Sequence, residues 1–117
     1  MSEAYDLFMR GSALLDSGDF AAAAVPLEQA RRLEPDKPSV REALGRAYFR
    51  SARFEQAAEE FAAVVDHSPV NDYAHYCLSR ALAKTGHAAE ARRHAAIAAH
   101  MRPDRQDYRA FRERLAA

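Results

Sequence analysis

The chain has 117 residues, 49% of them hydrophobic, and a formal net charge of zero at pH 7. These values are typical of one folded domain and exclude a disordered polypeptide. The single cysteine, Cys77, excludes a disulfide-stapled secreted fold and favours a reducing compartment.

Proline recurs at Pro35, Pro69 and Pro103, two steps of 34 residues, and the surrounding side chains repeat in the same register. The other matching columns are Gly11, Gly45 and Ser79; Leu14, Tyr48 and Leu82; Phe20, Phe54 and Ala88; Ala23, Ala57 and Ala91; and Ala30, Val64 and Ala98. Such a period indicates a repeat architecture, in which each unit buries its apolar face against its neighbours.

Within each unit, apolar residues recur at spacings of three and four, which predicts two helices joined by a tight turn. We expect helices near 3–17, 20–34, 38–51, 54–67, 72–85, 88–101 and 105–116. Gly18 and Gly86 suit the positive φ that ends a helix, and Asp19 suits the N-cap of the next helix. The turn at Ala52 and Arg53 contains no glycine and has to form without one.

Each repeat proline ends the second helix of its unit, because proline lacks an N–H and keeps the preceding residue out of the α region. Pro26 is different, since it lies inside the predicted helix 20–34 and removes a backbone hydrogen bond to Ala22. We expect a bend at this point. The small residues of the Gly11 and Ala23 columns let helix backbones approach closely, so we interpret them as structural.

The last predicted helix, 105–116, has one apolar and one charged side. Its apolar residues are Tyr108, Phe111 and Leu115, and its charged residues are Arg105, Arg109, Arg112, Glu113 and Arg114. The end of a repeat array needs such a helix, because its last face would otherwise be exposed. The alanines predicted to receive these aromatic rings are Ala91, Ala95 and Ala98.

The second unit carries the residues of a known family: Leu44-Gly45-x2-Tyr48, then Ala57-x3-Phe61 and Pro69. The chain therefore resembles the tetratricopeptide repeat, a 34-residue helix-turn-helix. The departures include Leu7, Arg41 and His75 in the column that usually holds tryptophan. The resemblance implies an all-α, right-handed superhelical solenoid of three repeats, about 4–37, 38–71 and 72–105, in one domain with a capping helix at about 105–116.

By this resemblance, the first helix of each repeat lines a concave groove. The predicted groove residues are Tyr5, Phe8, Ser12, Glu42, Arg46, Phe49, Arg50, Tyr73, Tyr76, Arg80 and Lys84. Arg46 and Arg80 share one column, and Arg50 and Lys84 share another, so we expect a two-by-two patch of cations flanked by aromatic rings. Arginine and aromatic side chains often dominate binding energy at interfaces. We therefore predict a protein-interaction scaffold or adaptor that binds a peptide with acidic and apolar side chains.

A structural interpretation of the same residues stays open. In it, the four cations form a solvated face that is partly paired with Glu42 and Asp16, and the aromatic rings belong to the core. Some family members hold a C-terminal carboxylate with a clamp of lysine, asparagine and arginine. The matching positions here are Phe8, Ser12, Ala43, Tyr73 and Cys77, which do not fit that clamp.

The sequence contains no convincing catalytic or cofactor-binding constellation, so we predict no enzyme and no cofactor. His87, Glu90 and His94 have a spacing that lets them share a helix face and bind a metal, but no fourth ligand is near, and we interpret them as surface residues. Residues 1–6 lack the basic and apolar regions of a secretory signal, and no apolar stretch approaches the roughly 18 residues that cross a bilayer. We predict a cytoplasmic location and no membrane partner.

The ends of the chain differ in charge. Residues 1–36 contain seven acidic and three basic side chains, whereas residues 92–114 contain three acidic side chains and seven arginines. The alternative function is therefore head-to-tail self-assembly, in which the acidic first repeat of one copy contacts the basic last helix of another. Acidic residues interrupt the arginines, so we do not expect nucleic acid to be the partner.

Overall fold

The structure is a computed structural model that describes residues 2–117. These residues form seven helices and no strand: α1 (Glu3–Asp16), α2 (Phe20–Leu33), α3 (Pro38–Arg50), α4 (Phe54–His67), α5 (Asp72–Lys84), α6 (Ala88–Met101) and α7 (Gln106–Ala116). Each helix packs against the next one along the chain, in an elongated stack of 45 × 25 × 23 Å. The predicted all-α helical-repeat solenoid is confirmed. Within residues 2–117, no helix has both the length and the apolar character needed to cross a membrane.

The three turns inside the helix pairs α1/α2, α3/α4 and α5/α6 have the same geometry. Gly18 and Gly86 both have φ of 84°, as predicted, and Ala52 takes the matching position with φ of 64°. In each turn the next residue donates its N–H to a carbonyl five residues back, for example Arg53 to Tyr48 at 2.8 Å. This bond belongs to the Schellman motif, in which a left-handed residue ends the helix. The turn without glycine therefore forms by placing an alanine in the left-handed region.

Replacing Ala52 by glycine is expected to raise the free energy of unfolding by about 1 kcal/mol, because a left-handed residue with a Cβ costs about 1–2 kcal/mol and glycine's extra unfolded-state entropy offsets part of that gain. The matched control is Gly86→Ala, where an added Cβ would meet nothing within 4 Å, so only the backbone conformation is changed. That variant should lose a similar amount. Urea unfolding followed by circular dichroism measures both, and a loss of stability in Ala52→Gly would contradict the argument.

The predictions for the N-cap residue Asp19 and for Pro26 inside α2 can be compared with the structure. Asp19 does occupy the N-cap of α2, but its carboxylate accepts a hydrogen bond from Ser17 Oγ at 3.0 Å and makes no cap bond. Side-chain caps occur instead at Ser2 on α1 and at Asn71 on α5, each accepting a backbone N–H at 3.0 Å. Helix α2 runs through the buried Pro26 without a break in the helix.

The small residues of the first helices lie where two helices are in contact. A Cβ on Gly11 would collide with the side chain of Leu27, and a Cβ on Gly45 would lie 2.9 Å from the ring of Phe61. Ser79, in the same column, is fully buried and donates its hydroxyl to the carbonyl of Ala91 at 2.8 Å. The first helix of each pair therefore contacts the second at this column, which supports the structural interpretation.

The column that departs from the family pattern has a shared role in the structure. Arg41 Nε donates to the carbonyl of Pro35 at 2.8 Å, and His75 Nε2 bonds the carbonyl of Pro69 at the same distance. Arg109 makes the equivalent bond to Pro103. Each side chain reaches back six residues to the repeat proline. A polar side chain at this column therefore stabilises the loop that joins one repeat to the next.

Arg41 and His75 also contact the second helix of their own pair, at residues that occupy one column. Arg41 donates to Glu60 at 3.0 Å, and His75 Nδ1 lies 2.9 Å from His94 Nδ1. Glu60, His75 and His94 are all buried. In the first repeat the same two columns hold Leu7 and Pro26, both buried. The position of Pro26 is thus an apolar version of a site that is polar in the other two repeats.

The histidine pair is compatible with only one arrangement of protons when both rings are neutral. The Pro69 carbonyl can only accept, so His75 Nε2 carries a proton, His75 Nδ1 accepts, and His94 Nδ1 donates. Burial lowers the pKa of His94, and the neighbouring His75 and Arg93 lower it further, while Glu90 opposes them. A further proton on His75 Nδ1 would bring two N–H groups face to face, so only His94 Nε2 can take one without breaking the bond between the rings.

Acidification from pH 7 to pH 5 is expected to decrease the free energy of unfolding. Because the folded-state pKa of His94 is lowered, the unfolded chain binds more protons once the pH falls below about 6.5, and protons then favour unfolding. Urea unfolding at a series of pH values measures the slope. The control is His75→Arg/His94→Glu, which copies the Arg41/Glu60 pair. In this variant the free energy of unfolding should change less with pH. The same slope in both proteins would contradict this role for His94.

The capping helix α7 packs on α6 and also reaches α5. Tyr108 is buried beside Ala98 and Ala99 and stacks on Tyr76, with ring centroids 4.6 Å apart. Its hydroxyl donates to Asp72 Oδ2 at 2.7 Å. Of the three alanines predicted to receive α7, Ala98 lies in this cluster. The bond to Asp72 fixes α7 to the start of α5 as well as to α6.

Candidate functional site

A cavity of about 150 Å³ opens on the face formed by the first helices of the repeats. We call it the arginine pocket. Its lining residues come from the first five helices and are Leu15, Phe20, Arg46, Phe49, Arg50, Phe61, Tyr73, Cys77 and Arg80. Three arginines thus share the cavity with four apolar side chains, and no carboxylate lines it.

The arginine pocket forms because two consecutive repeats place their first helices side by side. Arg46 and Arg80 are equivalent residues of α3 and α5, and Arg50 lies one turn beyond Arg46. The small Gly45 lets Phe61 approach α3, so that its ring reaches the base of the cavity. The 34-residue period therefore repeats the arginine column across the pocket.

Aromatic rings support the cations of the predicted patch. The guanidinium of Arg50 lies 4.3 Å from the ring centre of Phe20, and that of Arg80 lies 4.6 Å from the ring centre of Phe49. Lys84 Nζ lies 5.6 Å from the ring of Phe54. Such cation–π contacts hold a charged group in place without neutralising it.

In the part of the chain that the structure describes, Arg46, Arg50, Arg80 and Lys84 make no ion pair. The pairing with Glu42 and Asp16 considered from the sequence is therefore absent among residues 2–117. The aromatic part of the same interpretation holds, since Phe49 and Tyr73 are half-buried against the core.

The polar groups at the base of the pocket are neutral. Burial raises the pKa of the Cys77 thiol to about 12, and burial next to Cys77 raises the pKa of Tyr73 to about 12. Both side chains stay protonated at physiological pH, so Cys77 is not a nucleophile there. The charged residues that line the pocket are arginines, and the carboxylate of Glu42 lies near enough to raise the pKa of Tyr73 and Cys77 further without lining the cavity.

The other predicted groove residues lie elsewhere. Tyr5 and Phe8 line a separate cleft of about 610 Å³ at the N-terminal end, with Glu34 and Lys37 at its edge. Tyr76 does not line the arginine pocket but lies between Arg80 and the capping helix, since its ring centre is 5.7 Å from the guanidinium carbon of Arg80 and 5.8 Å from the ring centre of Phe111. Two predicted residues, Ser12 and Glu42, are half-buried and line neither the arginine pocket nor the N-terminal cleft.

Phe20 and Phe61 belong to the pocket but were not predicted, because they come from second helices. Phe20 belongs to a repeat column and Phe61 to the family motif, but neither observation indicated that the ring reaches the pocket. His94, considered as a metal ligand, turns inward to His75, whereas His87 bonds Thr85 Oγ1 at 2.9 Å. No three His, Cys, Asp or Glu side chains of residues 2–117 lie close enough together to hold a metal ion.

Comparison with known proteins identifies the repeat. A sequence model of the family described as tetratricopeptide repeat matches residues 14–75, more than half of the chain. No curated protein matches significantly.

Several solved structures superimpose on most of the chain. The first tetratricopeptide domain of Spaghetti (RPAP3), bound to the HSP90 peptide SRMEEVD, has a TM-score of 0.90 at 17% identity, covering 97% of this chain and 90% of that one. MamA from Desulfovibrio magneticus RS-1 has a TM-score of 0.92 at 20% identity, covering 96% and 63%. The Sgt2 domain from Aspergillus fumigatus has a TM-score of 0.86 at 19% identity, covering 99% and 78%. At these identities the similarity establishes the fold.

Proposed function

The chain belongs to the tetratricopeptide repeat family, and from that we propose that it is a non-catalytic scaffold that holds a peptide segment of another protein in its concave groove. In this proposal the chain is one domain of three repeats, about 4–37, 38–71 and 72–105, closed by the capping helix. The peptide supplies acidic and apolar side chains. The observation that carries the proposal is the arginine pocket, where exposed guanidinium groups surround apolar walls without a carboxylate partner.

The contacts of the pocket favour binding for a physical reason. An arginine that forms no ion pair has no internal bond to break when it binds a carboxylate with two parallel hydrogen bonds. Arg50 and Arg80 already lie on aromatic rings, which limits the side-chain entropy lost on binding. The adjoining half-buried rings give the peptide's apolar side chains a surface to cover. The peptide-bound RPAP3 domain has the same fold, which is consistent with this use of the groove.

Reversal of two charges, Arg46→Glu and Arg80→Glu, is expected to reduce capture of partner proteins at least about tenfold, since each arginine contributes roughly as much as an interface hot spot. Affinity capture from the source cell's lysate, followed by mass spectrometry, measures the loss. The matched control is Arg92→Glu/Arg112→Glu, which reverses two exposed charges outside the pocket. Circular dichroism checks that all three proteins are folded. Equal capture by the native chain and the pocket variant would overturn the groove as the binding site.

The contacts of the C-terminal arginines weaken the case for head-to-tail self-assembly. Arg102 makes two hydrogen bonds to Asp104, and Arg105 makes two to Asp107, so two of the seven arginines are paired within the chain. Arg109 is bonded to the carbonyl of Pro103. Self-assembly predicts a mass that rises with protein concentration and falls with salt, whereas a peptide receptor alone stays monomeric. Sedimentation at two salt concentrations distinguishes the two functions.

A further inference from the structure

The residues of the arginine pocket favour a ligand group with more negative charge than one carboxylate carries. Three arginines, Arg46, Arg50 and Arg80, line one cavity of about 150 Å³. No aspartate or glutamate lines that cavity, and none of the three arginines is in an ion pair within residues 2–117. One glutamate side chain of a peptide would therefore leave part of this positive charge uncompensated.

The remaining walls increase the effect of that charge. Leu15, Phe20, Phe49 and Phe61 line the cavity with apolar groups, which lower the local dielectric constant and strengthen a charge pair. The polar residues Tyr73 and Cys77 stay protonated and contribute no negative charge. The charged residues that line the cavity are thus all positively charged hydrogen-bond donors.

Resting on the peptide-receptor function proposed above, we propose that the arginine pocket binds a phosphorylated side chain of the partner segment and binds glutamate in its place more weakly. A phosphoryl group carries nearly two negative charges and three acceptor oxygens, whereas a carboxylate has one charge and two oxygens. Three arginines supply enough positive charge and enough N–H donors for all three oxygens of a phosphoryl group, whereas one carboxylate would use fewer of them. Phosphorylation of the partner would then control its capture.

The experiment uses the full chain and a peptide library with one fixed central residue and randomised flanks. Four sets differ only in that residue: phosphoserine, phosphotyrosine, glutamate and serine. We expect the phosphorylated sets to be retained about tenfold more strongly than the glutamate set, because the phosphoryl group adds charge-assisted hydrogen bonds. Arg46→Lys/Arg80→Lys should remove most of that preference while keeping the charge, since lysine cannot make the paired hydrogen bonds. Arg92→Lys/Arg112→Lys should retain it.

The pH dependence of peptide affinity is a second test, and it uses the native chain without any substitution. The second ionisation of a phosphoryl group has a pKa near 6, so affinity for a retained phosphopeptide should rise severalfold from pH 5.5 to 7.5. Affinity for its glutamate counterpart should stay constant, because glutamate is ionised throughout this range. Circular dichroism at each pH corrects both titrations for the folded fraction.

The outcomes separate this inference from the proposed function. Equal retention of glutamate and phosphorylated sets, both lost in Arg46→Glu/Arg80→Glu, overturns the phosphoryl preference and leaves the peptide receptor intact. Retention of no set, together with unchanged lysate capture by that variant, overturns both. Displacement of a retained phosphopeptide by a single-stranded oligonucleotide at equal phosphate concentration would instead assign the pocket to nucleic acid.

Discussion

Truncation of Tyr108 to alanine is expected to lower the free energy of unfolding by about 3–5 kcal/mol, the range for deletion of a large buried aromatic side chain. Tyr108 is 1% exposed and fills the space between α7, the alanines of α6 and the ring of Tyr76. Removing it leaves a cavity and takes away the contact that attaches the cap. Because α7 covers the last apolar face of the solenoid, the variant should also aggregate more readily.

The control is Tyr108→Phe, which keeps the ring and removes only the hydroxyl bonded to Asp72. Burial and that bond raise the pKa of Tyr108, so the hydroxyl is a donor at neutral pH. Loss of a hydrogen bond to a charged acceptor should lower the free energy of unfolding by about 1.5–3 kcal/mol. Urea unfolding followed by circular dichroism measures both variants. If Tyr108→Ala lost less free energy of unfolding than Tyr108→Phe, that result would contradict the role of the ring in attaching α7.

Replacing Glu60 by alanine is expected to lower the free energy of unfolding by about 2–3 kcal/mol, somewhat less than the roughly 3–5 kcal/mol for breaking a fully buried ion pair. The Glu60 side chain is 3% exposed and accepts hydrogen bonds from both Arg31 and Arg41. Without it the two guanidinium groups would lie against each other with no anion between them. Their side chains are 30% and 26% exposed, so they can turn toward water, which limits the loss.

An apolar exchange tests whether the loss comes from unpaired charge. The first repeat carries Leu7 and Pro26 at the positions of Arg41 and Glu60, so the fold accepts apolar residues there. The variant Arg31→Met/Arg41→Leu/Glu60→Leu should recover most of the stability that Glu60→Ala loses. Recovery will be incomplete, since Arg41 also bonds the carbonyl of Pro35. A triple variant less stable than Glu60→Ala would contradict this explanation.

Local sequence signals were sufficient to predict the helices and their turns. The 34-residue period and the spacing of apolar residues place every helix to within one residue of its observed bounds. The register also relates Ala52 to Gly18 and Gly86, which take the same left-handed conformation. These features depend on side chains within one turn or one helix pair, so the order of residues is enough to predict them.

The residues that line the pocket could be identified only from the way the helix pairs pack on one another. Arg46 and Arg80 were predicted to be neighbours because they share a column, and they do line one cavity. Tyr76 has an equally suitable spacing and does lie beside Arg80, yet its ring also packs against α7 and does not line the cavity. The sequence also gave no sign that Phe61 reaches the pocket from a second helix.

For the buried polar contacts too, the sequence identifies one residue of each pair and the structure identifies its partner. Sequence periodicity identifies Arg41 and His75 as departures at one position, but their partners Glu60 and His94 lie on another helix, 19 residues away. Which side chains meet there depends on the angle and distance at which two helices pack. The amino-acid order therefore establishes the helices, turns and repeat register, whereas the packing of one helix against the next decides which residues of equal spacing form the arginine pocket, the cap or the buried pairs.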